Sequence, residues 1–182
     1  MDRPLWVFGY GSLIWDPGFP VARTLTARLS GWHRSFCMTS IHYRGTPDLP
    51  GLVLALDAAP DAHCDGVAFE VAPGSEAETL AELRERELIS RAYLERWLPV
   101  RLVSGEVVTA LAYVIDPDHA QYCGGLDLEA QARIIAQAVG GRGPNRDYLL
   151  NTADHLAALG IDDADLGWLA QRVRELGNGL PG

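Results

Sequence analysis

The sequence predicts an α+β fold: a mainly antiparallel sheet curled towards a small β-barrel, with one inserted helix and helices at the C-terminal end. Between Trp6 and Ile115 the apolar runs are short, rich in β-branched and aromatic residues, and punctuated by Gly, Pro and Asp. One segment inside that region, from Ser75, switches to helical spacing, and after Asp127 every apolar stripe recurs at intervals of three and four. No repeat, low-complexity tract or linker interrupts the chain, so residues 1–182 are expected to form one domain.

Each element has a local reason. Trp6, Val7 and Phe8 open the sheet, and Asp16-Pro17-Gly18-Phe19-Pro20 is a turn-rich connector. Residues 25–40 suit strands, with Gly31 as a bulge or turn, and 42–51 is a loop by composition. A buried strand is expected over 52–56, a loop over 58–65, and a strand over 66–71 that places Val67, Phe69 and Val71 on one face. Ser75 and Glu78 have capping-box spacing and start a helix running to about Ile89. Residues 93–103 and 106–115 read as a hairpin around Ser104-Gly105. Asp127 caps a helix with Leu128, Ala132, Ile135, Ala136 and Val139 on its stripe, stopped by Gly140-Gly141. Asn145 caps the next, and Asp162 or Asp163 the last.

Composition narrows the function. The chain has 182 residues, 48% hydrophobic, enough for a core, and 24 Asp+Glu against 15 Lys+Arg give a net charge of −9. Such a field repels nucleic acid and anionic lipid, so the expected partner is a small molecule. Three widely spaced cysteines without a Cys-x-x-Cys pair fit a reducing cytoplasm rather than a disulfide framework. Asp2 and Arg3 lead straight into a strand, without a signal peptide, and no apolar run reaches the ~20 residues of a membrane span.

Two places carry chemistry. In Val7-Phe8-Gly9-Tyr10-Gly11-Ser12-Leu13-Ile14-Trp15 a strand runs into glycine-freed backbone, which can present N–H groups to an anion or a polarised carbonyl. A dinucleotide fingerprint is excluded, because Ile14 stands where its third glycine belongs and Pro17 and Pro20 where its helix would run. A strand end turning on glycine is the purely structural reading. In the helix from Ser75, Leu80, Leu83 and Glu87 share one face, since Leu80 and Glu87 differ by only ~20° at ~100° per residue. Glu85 points the other way, towards solvent. A carboxylate on a buried stripe is either paired, here with Arg84, Arg91 or a core tyrosine, or a proton carrier whose pKa desolvation raises.

Several separated motifs resemble the ChaC-type γ-glutamylcyclotransferases, which act on glutathione. The opening Phe8-Gly9-Tyr10-Gly11-Ser12-Leu13-Ile14-Trp15 with Phe19-Pro20, Arg44-Gly45-Thr46-Pro47 with Pro50-Gly51, Gly66-Val67-Ala68-Phe69, Arg86-Glu87, and Gly143, Asn145, Tyr148 and Leu149 follow in the family's order. Where some members have glycines after the glutamate, this chain has Leu88-Ile89-Ser90-Arg91. The resemblance implies cleavage of a γ-glutamyl amide by its own α-amine, giving 5-oxoproline and a free amine, with no metal and no cofactor. It implies Glu87 as the catalytic acid–base. Gly9, Tyr10, Gly11, Ser12, Leu13 and Ile14 would hold the γ-glutamyl group, with N–H groups of residues 11–13 as oxyanion donors. Arg44 would pair with a substrate carboxylate or brace its loop, and Tyr148 would close the pocket or sit in the core. Other γ-glutamyl peptides or γ-glutamylamines, or binding without turnover, are the alternatives. Cys37 with His42, and Cys64 with His63, match no zinc spacing.

Overall fold

The computed structural model describes residues 3–179. Of the two residues on which the leader expectation rests, Asp2 and Arg3, the first lies outside that range. Five strands close a barrel in the order β1-β3-β2-β4-β5. Strand β1 (Trp6–Gly9) is fully buried and lies between antiparallel β3 (Gly51–Val71), with Val7 opposite Phe69, and parallel β5 (Val107–Ile115), with Trp6 opposite Ala110. That parallel pairing makes the barrel mixed. Strand β2 (Val21–Ser40) pairs with β4 (Tyr93–Leu102) at Ala27↔Leu102, and β4 returns as β5 in the expected hairpin, with Gly105 at φ 92. Gly31 takes φ 87 inside β2, and the strand continues through it.

Residues 58–65 are not a loop. They belong to β3, a single strand hydrogen-bonded to β1 and β2. Ala58, Pro60, Asp61 and His63 are exposed there, so the ladder offsets their poor strand propensity, and Pro60 sits on an exposed position that tolerates it.

The chain divides into two compact units: one of residues up to Ser35 and Ala55–Ala120, the other of Phe36–Leu54 and the residues from Gln121 onward. In the first, Leu5, Val7, Leu13, Phe19, Val67, Phe69, Val71, Leu83, Leu111 and Tyr113 form one buried cluster. Helix α1 (Glu76–Glu87) adds Leu83 to it. Ser75 is its N-cap residue, yet the Ser75 side chain makes no capping bond; instead Glu76 Oε2 accepts from the Gly74 N–H at 2.8 Å. The helix ends at Glu87, two residues before the expected limit, and Ile89 is 76% exposed.

The second unit holds α2 (Leu128–Gln137), α3 (Asn145–Ala158) and α4 (Ala164–Asn178), with a two-residue ladder, β6 (Val139–Gly140) on β7 (Gly143–Pro144), between the first two. Asp127 and Asp163 cap as expected, accepting from Ala130 N–H at 2.7 Å and Leu166 N–H at 3.0 Å. Val139 leaves the helical stripe for the ladder and is 52% exposed. Asn145 is not a cap: Pro144 takes that position, and the Asn145 amide is fully buried on Leu52. Among the described residues, no helix is long and apolar enough to cross a membrane.

Candidate active site

The site in the first unit starts where β1 ends. A Cβ on Gly9 would lie 3.0 Å from Phe69 Cε2 and 3.3 Å from Leu13 Cβ, so glycine lets the chain fold back with Leu13 against the core. A 3-10 turn, Ser12–Ile14, follows, closed by Ile14 N–H to Gly11 O at 3.0 Å and Asp16 N–H to Ser12 O at 3.0 Å. The first N–H groups of any helical turn have no carbonyl behind them. Accordingly, among the described residues no group of the chain accepts from the N–H of Gly11, Ser12 or Leu13. The side chains of Tyr10 and Leu13 are buried and Ile14 packs on the core, which leaves main chain, rather than side chains, to meet a ligand.

Arg34 anchors this segment, and sequence reasoning missed it. It is 3% exposed and donates from Nε to Tyr10 O at 2.8 Å and from Nη2 to Asp65 O. The Asp65 carboxylate is itself held by Arg28, at 2.7 and 3.0 Å, which lowers its pKa. The available signal was parity: Arg34 has the same two-residue phase as buried Phe36 and Met38, an inward position for a cation. A buried guanidinium there must find carbonyls or carboxylates.

Glu87 is the last residue of α1, one turn beyond buried Leu83, as the helical phase required. Its side chain is 18% exposed, and burial raises its pKa, opposed in part by Arg86, whose Nε lies 3.4 Å from Glu87 Oε1. Glu85 is exposed. Of the partners considered for Glu87, Arg84 is committed elsewhere, to Glu95 with two bonds of 2.9 Å. The core tyrosine is Tyr113. Its hydroxyl donates to Glu95 Oε2 at 3.4 Å, and burial with the charges of Glu95 and Glu87 raises its pKa. Just past the helix, Arg91 takes φ 58, the left-handed conformation in which glycine is unstrained. The chain thus keeps a glycine-like bend without glycine at Leu88–Arg91.

The remaining candidates lie in the second unit. Arg44 Nη1 donates to Arg142 O at 3.0 Å and Pro144 O at 3.2 Å, its guanidinium stands 5.6 Å over the Tyr148 ring, and burial lowers its pKa. Tyr148 accepts the Leu54 N–H at 3.2 Å and packs edge-on against Phe36 at 6.0 Å. Asn145 accepts the Leu52 N–H and donates to the Leu52 carbonyl, both at 2.8 Å. A Cβ on Gly45 would fall 2.1 Å from Gly51 N, so 44–51 closes on itself through glycine. The motifs at 44–51 and 143–149 therefore brace their own unit. Cys37 and Cys64 are buried, and among the described residues no three His, Cys, Asp or Glu side chains gather as metal ligands.

Residues 5–176 match the family of ChaC-like proteins. The chain is 37% identical to γ-glutamylcyclotransferase 2-3 of Arabidopsis thaliana, over 94% of this chain and 89% of that one. It is 36% identical to the glutathione-specific γ-glutamylcyclotransferase of Escherichia coli, over 96% and 75%. Its fold superposes on a crystal structure of a yeast γ-glutamylcyclotransferase specific to glutathione with a TM-score of 0.85, at 24% identity, covering 96% of this chain and 97% of the yeast chain.

Proposed function

The chain belongs to the ChaC-like glutathione-specific γ-glutamylcyclotransferase family, and on that premise we propose that it cleaves glutathione to 5-oxoproline and Cys-Gly. The observation that carries the reading is the pairing, within one unit, of a mostly buried carboxylate of raised pKa with a turn whose leading N–H groups are unclaimed.

The chemistry then follows from the residues. The substrate's α-ammonium sheds one proton to solvent to become a nucleophile, and as the amine attacks the γ-carbonyl carbon the second proton, the one the ring nitrogen must lose, passes to Glu87. Its raised pKa brings it nearer the operating pH, where a carboxylate is a stronger base than an ordinary one. As the new C–N bond closes the lactam, charge gathers on the γ-carbonyl oxygen, and the N–H groups of Gly11, Ser12 and Leu13 stabilise it, each donor contributing about 3 kcal/mol. The scissile C–N bond then breaks, its electron pair returning to the leaving nitrogen, which receives the proton from Glu87. Ring closure is intramolecular and needs no covalent enzyme intermediate.

We propose Arg44 and Tyr148 as further substrate ligands on their chemistry alone. Arg44 has no ion-pair partner among the described residues, and a carboxylate-bearing substrate would supply one. The family match runs through both compact units, which supports one functional domain. A thiol-bearing substrate and free cysteines fit the reducing cytoplasm.

The test is incubation with glutathione and quantification of both products, expected in equal amounts. Faster turnover of another γ-glutamyl peptide or γ-glutamylamine would reassign the substrate. Thermal stabilisation by glutathione with no product would refute catalysis and leave a binding module.

A further inference from the structure

Arg86 does more than flank the glutamate. It sits in the last turn of α1 with its side chain 33% exposed, and it reaches a different element from the one it grows on. Nη1 donates to the main-chain carbonyl of Asp16 at 3.1 Å, and Nη2 lies 3.4 Å from Ser12 Oγ. Nε lies 3.4 Å from Glu87 Oε1. A Cβ on Gly18, which has φ 75, would come within 3.3 Å of Nη1, so the guanidinium is seated in the bend that Ser12–Gly18 makes. One rigid planar group thus touches the turn that offers the N–H donors and the carboxylate that carries the proton.

We propose that Arg86 is the positioning residue of this site, a single guanidinium that keys the Glu87 carboxylate to the Ser12–Gly18 turn. The proposal rests on the reading of Glu87 as proton carrier. Its physical content is geometric first. The donors must lie about 3 Å from the nascent oxyanion while the carboxylate lies within hydrogen-bond reach of the amine, and misplacement of either by about 1 Å costs up to a hundredfold in rate. Arginine suits this because its fork bridges two acceptors at fixed separation, which a lysine ammonium on a flexible stem does not.

The same group tunes the proton carrier. Facing Glu87 are Arg86 on its own helix and Tyr113 on β5, and behind Tyr113 stands Glu95 on β4, paired with Arg84. Asp16 meets Arg86 through its main-chain carbonyl. Of the groups facing the carboxylate, Arg86 favours its ionised form, against the desolvation that raises its pKa.

Two variants separate geometry from charge. For R86Q, the acid limb of kcat/KM against pH is expected to move up by about one pH unit, the low end for a lost neighbouring charge, because Glu87 protonates more readily. The plateau rate is expected to fall about ten- to a hundredfold. For R86K the limb stays near its wild-type position while the plateau stays low, since charge is kept and the bridge is lost. A limb in R86Q that overlays the wild-type curve, or a wild-type plateau in R86K, overturns the proposal. Side-chain carboxyl NMR titration of Glu87 in wild type and R86Q reads the same shift without turnover, its resonance identified by its loss in Glu87→Gln. An NMR shift in a protein that turns over no γ-glutamyl substrate leaves Arg86 in place and refutes the proposed activity. Turnover with no NMR shift does the reverse. Should R86Q not fold, the R86K plateau decides.

Discussion

Glu87→Gln is the perturbation that bears most directly on the mechanism. Glutamine keeps the shape and a hydrogen-bonding carbonyl but neither takes nor returns a proton. Positioned acid–base catalysis contributes about 10²–10⁴ in rate, which is about 3–5 kcal/mol of barrier. The oxyanion donors and substrate proximity remain, so the variant should retain the residue of catalysis they supply. Stability moves the other way. Burial raises the Glu87 pKa above its unfolded value, so the ionised side chain destabilises the fold. That cost is absent below the unfolded pKa, grows as pH rises through the folded one, and is complete above it. The Gln variant is therefore expected to melt at or above the wild-type temperature at about pH 8, with the difference vanishing in acid. In the wild type, kcat/KM should fall on the acid side through a pKa above the usual glutamate range. Rates of 5-oxoproline formation and melting curves at both ends of the pH range test this together. Unchanged turnover in Glu87→Gln, with loss in Glu85→Gln at the exposed neighbour, would refute the assignment.

Three other substitutions test the frame around the site. Asn145→Ala removes two 2.8 Å bonds and leaves the Leu52 N–H and carbonyl unsatisfied, so denaturant melts should show a loss of about 2–4 kcal/mol; a change below about 0.5 kcal/mol would deny the brace. Gly9→Ala sets a methyl 3.0 Å from the Phe69 ring and 3.3 Å from Leu13, which should cost about 1–3 kcal/mol and displace the donor turn, read as a fall in kcat. Arg91→Gly relieves φ 58 and is expected to stabilise by about 0.5–1 kcal/mol after glycine's unfolded-state entropy is counted; a lower melting temperature would contradict the strain.

What was legible in the residues was legible because its cause is local. Asp127 bonds the N–H three residues on, so spacing placed it, and spacing narrowed the last cap to Asp162 or Asp163, of which Asp163 takes the Leu166 N–H. Glu87 was found by helical phase, since Leu80, Leu83 and Glu87 must share a face wherever the helix lies. Ser75 and Asn145 have equally good capping chemistry, yet neither side chain makes a capping bond, although Ser75 holds the cap position. Asn145 is claimed by Leu52, 93 residues earlier, and Glu76, beside Ser75, takes the Gly74 N–H. Residues 58–65 read as loop because Ala, Pro and Asp are poor strand formers, yet their place within the long strand β3, between β1 and β2 in the barrel order, outweighs propensity.

By itself, then, the sequence determined the fold class, the turn after β1 and which carboxylate of α1 turns towards the core, all consequences of short-range periodicity and backbone freedom. Only the tertiary structure decided who holds them. Arg84, a near neighbour of Glu87, turns to Glu95, while Arg86 reaches back to Ser12 and Asp16, and Arg34 grips the carbonyl of Tyr10 from another strand. A guanidinium's partners are set by which distant carbonyls folding brings within about 3 Å of it, and no local pattern encodes that distance.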